Sequence, residues 1–172
     1  MSNVRAEVDY RLASQHDLDG VVAVFLACWR HSYESVLPSP VIAAMTDQRA
    51  RELWTPLVRD APGGALVATS GDQVLGITRW TVDVPGAVGS IGSLYVDPDA
   101  QGAGVGAGLL ERAVAAIAAT GAARAALWVF EPNHAAREFY AHHAFRTDGT
   151  TRVEAEFGVR ELRFTRPLDH AP

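Results

Sequence analysis

At 172 residues the chain suits one compact domain and is short for two, and with 48% hydrophobic and 20% charged residues it reads as a globular protein able to bury a core. Fifteen basic residues against 20 acidic ones give a formal net charge of −5, which lacks the broad positive field that nucleic-acid binding needs. All fifteen are arginine, which excludes a Schiff-base lysine, a P-loop lysine and a Ser-Lys pair, and the single cysteine, Cys28, allows neither an intrachain disulfide nor a Cys-rich zinc site.

Val8 to Ala13 reads as a short strand ending at Ser14, which is placed to cap a helix that starts near Gln15 and holds Asp17 in its first turn. Leu18, Val21, Val22, Phe25, Leu26 and Trp29 recur at helical spacing to about His31, before Tyr33, Leu37 and Pro38 break the pattern. Pro40 to Arg59 is a second helical stretch, broken near Thr46-Asp47, with Trp54 and Leu57 on one side and Pro62-Gly63-Gly64 as its stop. Ala65 to Thr69 and Gln73 to Val82 flank a Ser70-Gly71-Asp72 turn as an antiparallel hairpin, and Pro85-Gly86 makes a loop. Ser90 to Val96 is a further strand, closed by Asp97-Pro98, and it leads through Gln101 to Gly106 into an alanine-rich helix. Leu109, Leu110, Ala113, Val114 and Ile117 form the buried stripe of that helix, and Gly121 is its stop. Ala125 to Phe130 is a buried strand, Asn133 to His143 a short helix, and Phe145 to Val153 with Val159 to Thr165 a closing pair of strands.

The order β-α-α-β-β-β-α-β-α-β-β, with an antiparallel hairpin followed by a strand–helix–strand crossover, predicts an α/β or α+β fold. The expected architecture is one mixed sheet of about six to seven strands with helices on both faces. Arg5, Glu7 and Asp9 stand where a signal peptide needs an apolar core, and the longest apolar run, Val21 to Trp29, is far short of the ~18 residues of a membrane span. A soluble, cytoplasmic protein without a membrane partner is therefore expected.

A strand that ends at a glycine-rich turn and opens a helix gathers backbone N–H groups, with the helix dipole behind them, around one small volume suited to phosphate. A P-loop would need Gly-Lys-Ser/Thr, and here Gly106 is followed by Ala107 and Gly108. The spacing of Gly102, Gly104 and Ala107 matches a dinucleotide fingerprint, yet no acidic residue stands at a second strand end to take the ribose. A tight connection that binds nothing is the plain alternative, and a pyrophosphate-containing acyl carrier is the other.

Leu94-Tyr95-Val96-Asp97-Pro98 followed by Gln101-Gly102-Ala103-Gly104-Val105-Gly106 resembles the acetyl-CoA signature Q/R-x-x-G-x-G/A of the GNAT N-acetyltransferase superfamily. Asn133, Ala136, Phe139, Tyr140 and Phe145 match its N-x-x-A-x-x-F-Y-x-x-x-G-F block, with Ala144 where glycine is usual. Trp29-Arg30-His31-Ser32-Tyr33 with Leu37-Pro38 resembles the first-helix region of its small-molecule members.

The resemblance implies a GNAT-like twisted central sheet forming a single acetyl-CoA-binding domain. It implies that Leu94, Tyr95 and Val96 hold the pantetheine arm, that Gln101, Gly102, Ala103, Gly104, Val105 and Gly106 hold the pyrophosphate, and that Asn133, Ala136, Phe139 and Tyr140 complete the cofactor site. The Leu94 amide would stabilise the oxyanion, and Tyr140 would protonate the departing thiolate. Asn133 also reads as a helix N-cap and Tyr140 as a core aromatic with a wet tip.

Where several members carry a glutamate base this chain has Ser90, which cannot serve at neutral pH. Glu34, Asp83 and Glu131, with Tyr33, or an ordered water remain as candidates. Trp29, Tyr33 and Trp54 are candidates to line an acceptor pocket, or are core. His134, His142 and His143 read as surface histidines and no metal is required, while Arg137 either meets a CoA phosphate or is a solvated helix face. The implied activity is acetyl transfer from acetyl-CoA to a small-molecule or peptide primary amine in a ternary complex, with a homodimer as the default assembly. The alternative is a catalytically inactive acyl-CoA-binding sensor or interaction module, suggested by Ser90 and Ala144.

Overall fold

The computed structural model describes residues 7–61, 63–83 and 88–168, so the Pro85-Gly86 loop and Pro62 lie outside the described residues. Strand β1 (Asp9–Leu12) leads into a short 3-10 turn at Gln15–Asp17 and then α1 (Leu18–His31), so the regular helix begins three residues later than the capping pattern predicts. The cause is Asp17. It is 5% exposed, its Oδ2 accepts the Ser14 N–H (2.8 Å) and hydroxyl (3.0 Å), and both its oxygens take Arg11 guanidinium bonds at 2.7 and 2.8 Å.

The Arg11 bonds hold the Asp17 carboxyl down to about 2 against the opposing effect of burial. Because the folded state lowers this pKa, the pair stabilises the fold above the ordinary carboxylate range, and that stabilisation is lost as pH falls through the folded value. Asp17→Asn should therefore cost about 1–2 kcal/mol at pH 7 and flatten the acid limb between about pH 5 and 2. Urea midpoints measured across that range check this, and an unchanged acid limb would assign the loss to other carboxylates.

The second helical stretch does break where expected. Helix α2 (Ser39–Ala44) stops, and Thr46 Oγ1 accepts the Arg49 N–H at 3.2 Å to cap α3 (Asp47–Arg59). Strands β2 (Gly64–Ser70), β3 (Gln73–Asp83) and β4 (Val88–Val96) follow, then α4 (Val105–Ala118), β5 (Arg124–Phe130), α5 (His134–His142), β6 (Arg146–Val153) and β7 (Arg160–Pro167). They form a seven-stranded sheet in the order β1-β2-β3-β4-β5-β7-β6, antiparallel throughout except between β4 and β5.

Phe25, Trp29 and Trp54 from α1 and α3 bury one face of the sheet against Val67 and Ile77. Leu110, Val114 and Ile117 of α4 bury the other, together with Phe145 and Phe164. No helix among the described residues is long and apolar enough to cross a membrane.

Two irregularities position the functional site. Arg79 pairs with Ser93 and Trp80 with Ile91, so Gly92 has no partner and forms a bulge in β4. The extra residue lets Ile91 and Leu94, an odd number of positions apart, face α4 together, while Tyr95 turns to Phe25 on the opposite face. The second irregularity is that β4 and β5 pair only at Val88–Arg124, Gly89–Ala125 and Ser90–Ala126. Gly89 makes that junction possible, because a Cβ there would overlap the branched Ile117 side chain.

Candidate active site

Beyond Ser90 and Ala126 the two parallel strands part, and a cleft of about 640 Å³ opens between them. Its backbone edge follows from strand alternation. The Asp97 N–H donates to the Leu75 carbonyl at 2.8 Å, and Thr78 Oγ1 donates to the Ser93 carbonyl at 3.0 Å, so alternate β4 residues turn toward β3. Leu94 and Val96 therefore turn their backbone groups into the cleft. The Val96 carbonyl is already occupied, accepting from Cys28 Sγ (3.0 Å) and Gln101 Nε2 (3.1 Å).

Gln101 thus turns its side chain back to brace β4. Burial pushes the Cys28 thiol up to about 11, so it stays a protonated donor at neutral pH and is not poised as a nucleophile.

One end of the cleft is the glycine turn. Gly102 (φ +77°) and Gly104 (φ +87°) adopt the left-handed conformation that a side chain resists, and nothing lies within 4 Å of where their Cβ atoms would be. They border open space at the start of α4, whose first N–H groups and positive dipole end face it. Gly106 and Ala107 continue this wall, whereas the Val105 side chain is buried in the core and Ala103 is exposed outside the cleft.

Across the cleft stands α5. Asn133 Oδ1 accepts the Ala136 N–H at 3.1 Å, so it is a helix N-cap, and it also lines the cleft with Ala136, Phe139 and Tyr140. Helix α5 closes with Ala144 at φ +63°, the Phe145 N–H donating to the Tyr140 carbonyl (3.0 Å) and the Ala144 N–H to the Ala141 carbonyl (3.3 Å). These bonds make a Schellman closure in which glycine is the usual left-handed residue. The rings of Tyr140 and Phe145 meet across it with centroids 6.0 Å apart. Burial pushes the Tyr140, Tyr33 and Tyr95 phenols up, Tyr95 to about 12, so all three are neutral donors near pH 7.

Several sequence candidates do not reach this cleft. Glu34 is exposed, and Glu131 reaches toward Arg160 at 3.6 Å; neither lines it. Asp83 pairs with Val88 at the closed end of β4, six strand positions or roughly 20 Å from Leu94, and its side chain lies outside the described residues. Trp54 is core, 1% exposed and edge-on to Phe25. Arg137 Nη1 donates to the Glu131 carbonyl at 3.0 Å.

His134 and His142 are exposed, and His143 Nδ1 lies 3.2 Å from Glu111. No group of three metal-ligating side chains gathers among the described residues. Trp29 and Tyr33 do line the cleft, and Ser90 sits at its closed end.

The sequence reading missed Glu161, Trp128, Phe130 and Phe157, which line the cleft from β5, β7 and the β6–β7 turn. Phe157 packs edge-on against Trp29 (centroids 5.4 Å), and Phe130 against Tyr33 (5.9 Å).

The Acetyltransferase (GNAT) family matches residues 25–145, a span that runs from within α1 to Phe145. A mycothiol acetyltransferase of Beutenbergia cavernae is 37% identical over 94 residues, which is 55% of this chain and only 31% of that protein. A probable N-acetyltransferase of Mycobacterium tuberculosis is 29% identical over 154 residues, covering 87% of this chain and 84% of its own length. The PaiA N-acetyltransferase from Thermoplasma acidophilum, solved in complex with coenzyme A, has the same fold, with a TM-score of 0.74 and 15% identity over 94% of this chain and 99% of that one. With the family matched across both the glycine turn and the helix that carries Tyr140, the chain belongs to the GNAT acetyltransferase family.

Proposed function

We propose that the chain transfers the acetyl group of acetyl-CoA to a primary amine by direct attack in a ternary complex, the acceptor being a small molecule or peptide. The observation that carries this reading is that the inward-turned Leu94 backbone and the neutral Tyr140 phenol line the same cleft. The open space beside Gly102 and Gly104, next to the start of α4, suits a pyrophosphate. The Leu94 backbone edge, which has no β5 partner, with Asn133 also lining the cleft, suits an amide-bearing arm.

Acetyl-CoA would supply an activated thioester carbonyl. The acceptor nitrogen attacks that carbon, the Leu94 N–H steadies the developing oxyanion, and Tyr140 gives its proton to the departing sulfur. The protonated Cys28 thiol favours this direct route over an acyl-cysteine.

A thermal shift of the purified chain tests the first step. Acetyl-CoA at ~100 times its Kd should add about 2.7 kcal/mol, worth several degrees for a domain of this size, while NAD should add nothing. No rise with acetyl-CoA overturns the reading. Release of free thiol with an amine then separates the enzyme from a binding module, which would warm without turnover.

A further inference from the structure

Past the glycine turn and α5 the cleft continues between α1 and the β5–β7 side of the sheet. Its walls there are aromatic: Trp29, Tyr33, Trp128, Phe130 and Phe157. Glu161 lies among them, directly across from Phe130 in the β5–β7 register and 6% exposed.

Asp17 and Glu161 are the two buried acids among the described residues, and their surroundings differ. Asp17 is saturated by Arg11 and Ser14. Among the described residues Glu161 receives one hydrogen bond, from Arg152 Nε to Oε2 at 2.5 Å, and none ends on its Oε1. Arg152 lies 4.2 Å over the Trp128 ring, is half exposed and does not line the cleft, whereas Glu161 does. Glu161 thus offers the cleft one carboxylate oxygen that no protein donor among the described residues engages, an acceptor open to a cationic ligand.

We propose that Glu161 holds the acceptor amine as its ammonium and takes its proton, and that the acceptor is a primary amine carried on a flat, apolar body. The proposal rests on the acetyl-transfer reading of the cleft. An aliphatic primary amine is protonated at neutral pH and must lose a proton before it can attack, and Ser90 cannot take it. The charged and titratable groups around Glu161 are Arg152 of β6, Tyr95 of β4 with Tyr33 of α1 beside it, and Glu154 of the β6–β7 turn. Glu154 Oε2 is committed to the Glu156 and Phe157 N–H groups, so it builds the turn that carries Phe157. Two carboxylates lining this end repel an anionic acceptor.

The step balances. An ammonium N–H bond breaks and its proton passes to Glu161. The freed lone pair forms the C–N bond at the thioester carbonyl, and the C–S bond breaks with its electrons on sulfur, which takes the Tyr140 proton. The remaining excess nitrogen proton returns to the Tyr140 phenolate and Glu161 releases its own to water, so ammonium and thioester give amide, thiol and one proton.

The test uses the full chain with saturating acetyl-CoA, following free thiol, on four amines: 2-phenylethylamine, ethanolamine, aniline and glutamate. The kcat/KM for 2-phenylethylamine should exceed each of the others by about tenfold or more, and this is read on the unmodified chain. Glu161→Gln should lower that kcat/KM by about 100-fold while the thermal shift with acetyl-CoA persists, and Glu161→Asp should restore part of it.

Equal rates across the panel, preference for aniline or glutamate, no turnover of any amine, or Glu161→Gln within about threefold of wild type would each overturn the assignment. Absence of an acetyl-CoA shift in the unmodified chain would instead remove the acetyl-transfer reading beneath it.

Discussion

Tyr140→Phe should lower kcat by about 100-fold and leave acetyl-CoA affinity within about twofold. The substitution removes one oxygen and keeps the ring, so the contacts with Phe139 (centroids 5.2 Å) and Phe145 (6.0 Å) survive. No hydrogen bond within the described residues ends on the Tyr140 hydroxyl, so its removal orphans no partner and stability should change little. Under the proposed chemistry, what disappears is the proton for the departing sulfur. Burial pushes that phenol up, so in the wild type it stays protonated and neutral across the neutral range and would meet the thiolate as a donor. Steady-state kinetics by thiol release, beside a thermal shift with acetyl-CoA, separate the two quantities. A variant with full turnover would remove Tyr140 from the chemistry.

Phe145→Ala should do the reverse, harming the fold before the rate. The ring is fully buried, packed in the α4 core cluster and against Tyr140 at the close of α5. Truncating a buried phenylalanine costs about 3–5 kcal/mol from lost burial and the cavity left behind. For a domain of this size that is roughly a 10 °C fall in Tm. The urea midpoint should drop with an unchanged slope. A fall of less than about 3 °C would mean that the site collapses around the smaller side chain.

The local grammar of the chain carried most of the fold. Ser14 and Asp17, the Thr46-Asp47 break, the 101–106 turn and the Asn133 cap each act within a few residues, so each is readable from its neighbours. The half of the site made by β4, the turn and α5 was legible for the same reason.

The half proposed for the acceptor was not, because it depends on strand order. β7 inserts between β5 and β6, and only that insertion sets Glu161 across from Phe130. In the sequence Glu161 is one polar residue of an alternating strand, Arg160 to Phe164, no different from a solvated one. Asp83 failed in the opposite sense. It stands close to the β4 segment in sequence, but an antiparallel pairing sends it to the far end of that strand. Ala144 looked like a departure from the family block, and in the structure it performs the glycine's part at φ +63°.

The parting of β4 from β5 after three pairs leaves the sheet with a free edge at its centre instead of only at its rims. A rim edge of this kind is a standing invitation for a strand from another molecule. Here the edge lies inside the cleft that α1 and α5 flank, with Tyr33 and Tyr140 in its walls, instead of on the open rim of the sheet. Under the proposed reading, a ligand arm laid along this edge would bridge the two halves of the sheet. The sheet is thus left divided along its midline, and the gap leaves part of the β4 edge beyond Ser90 without a ladder partner inside the fold.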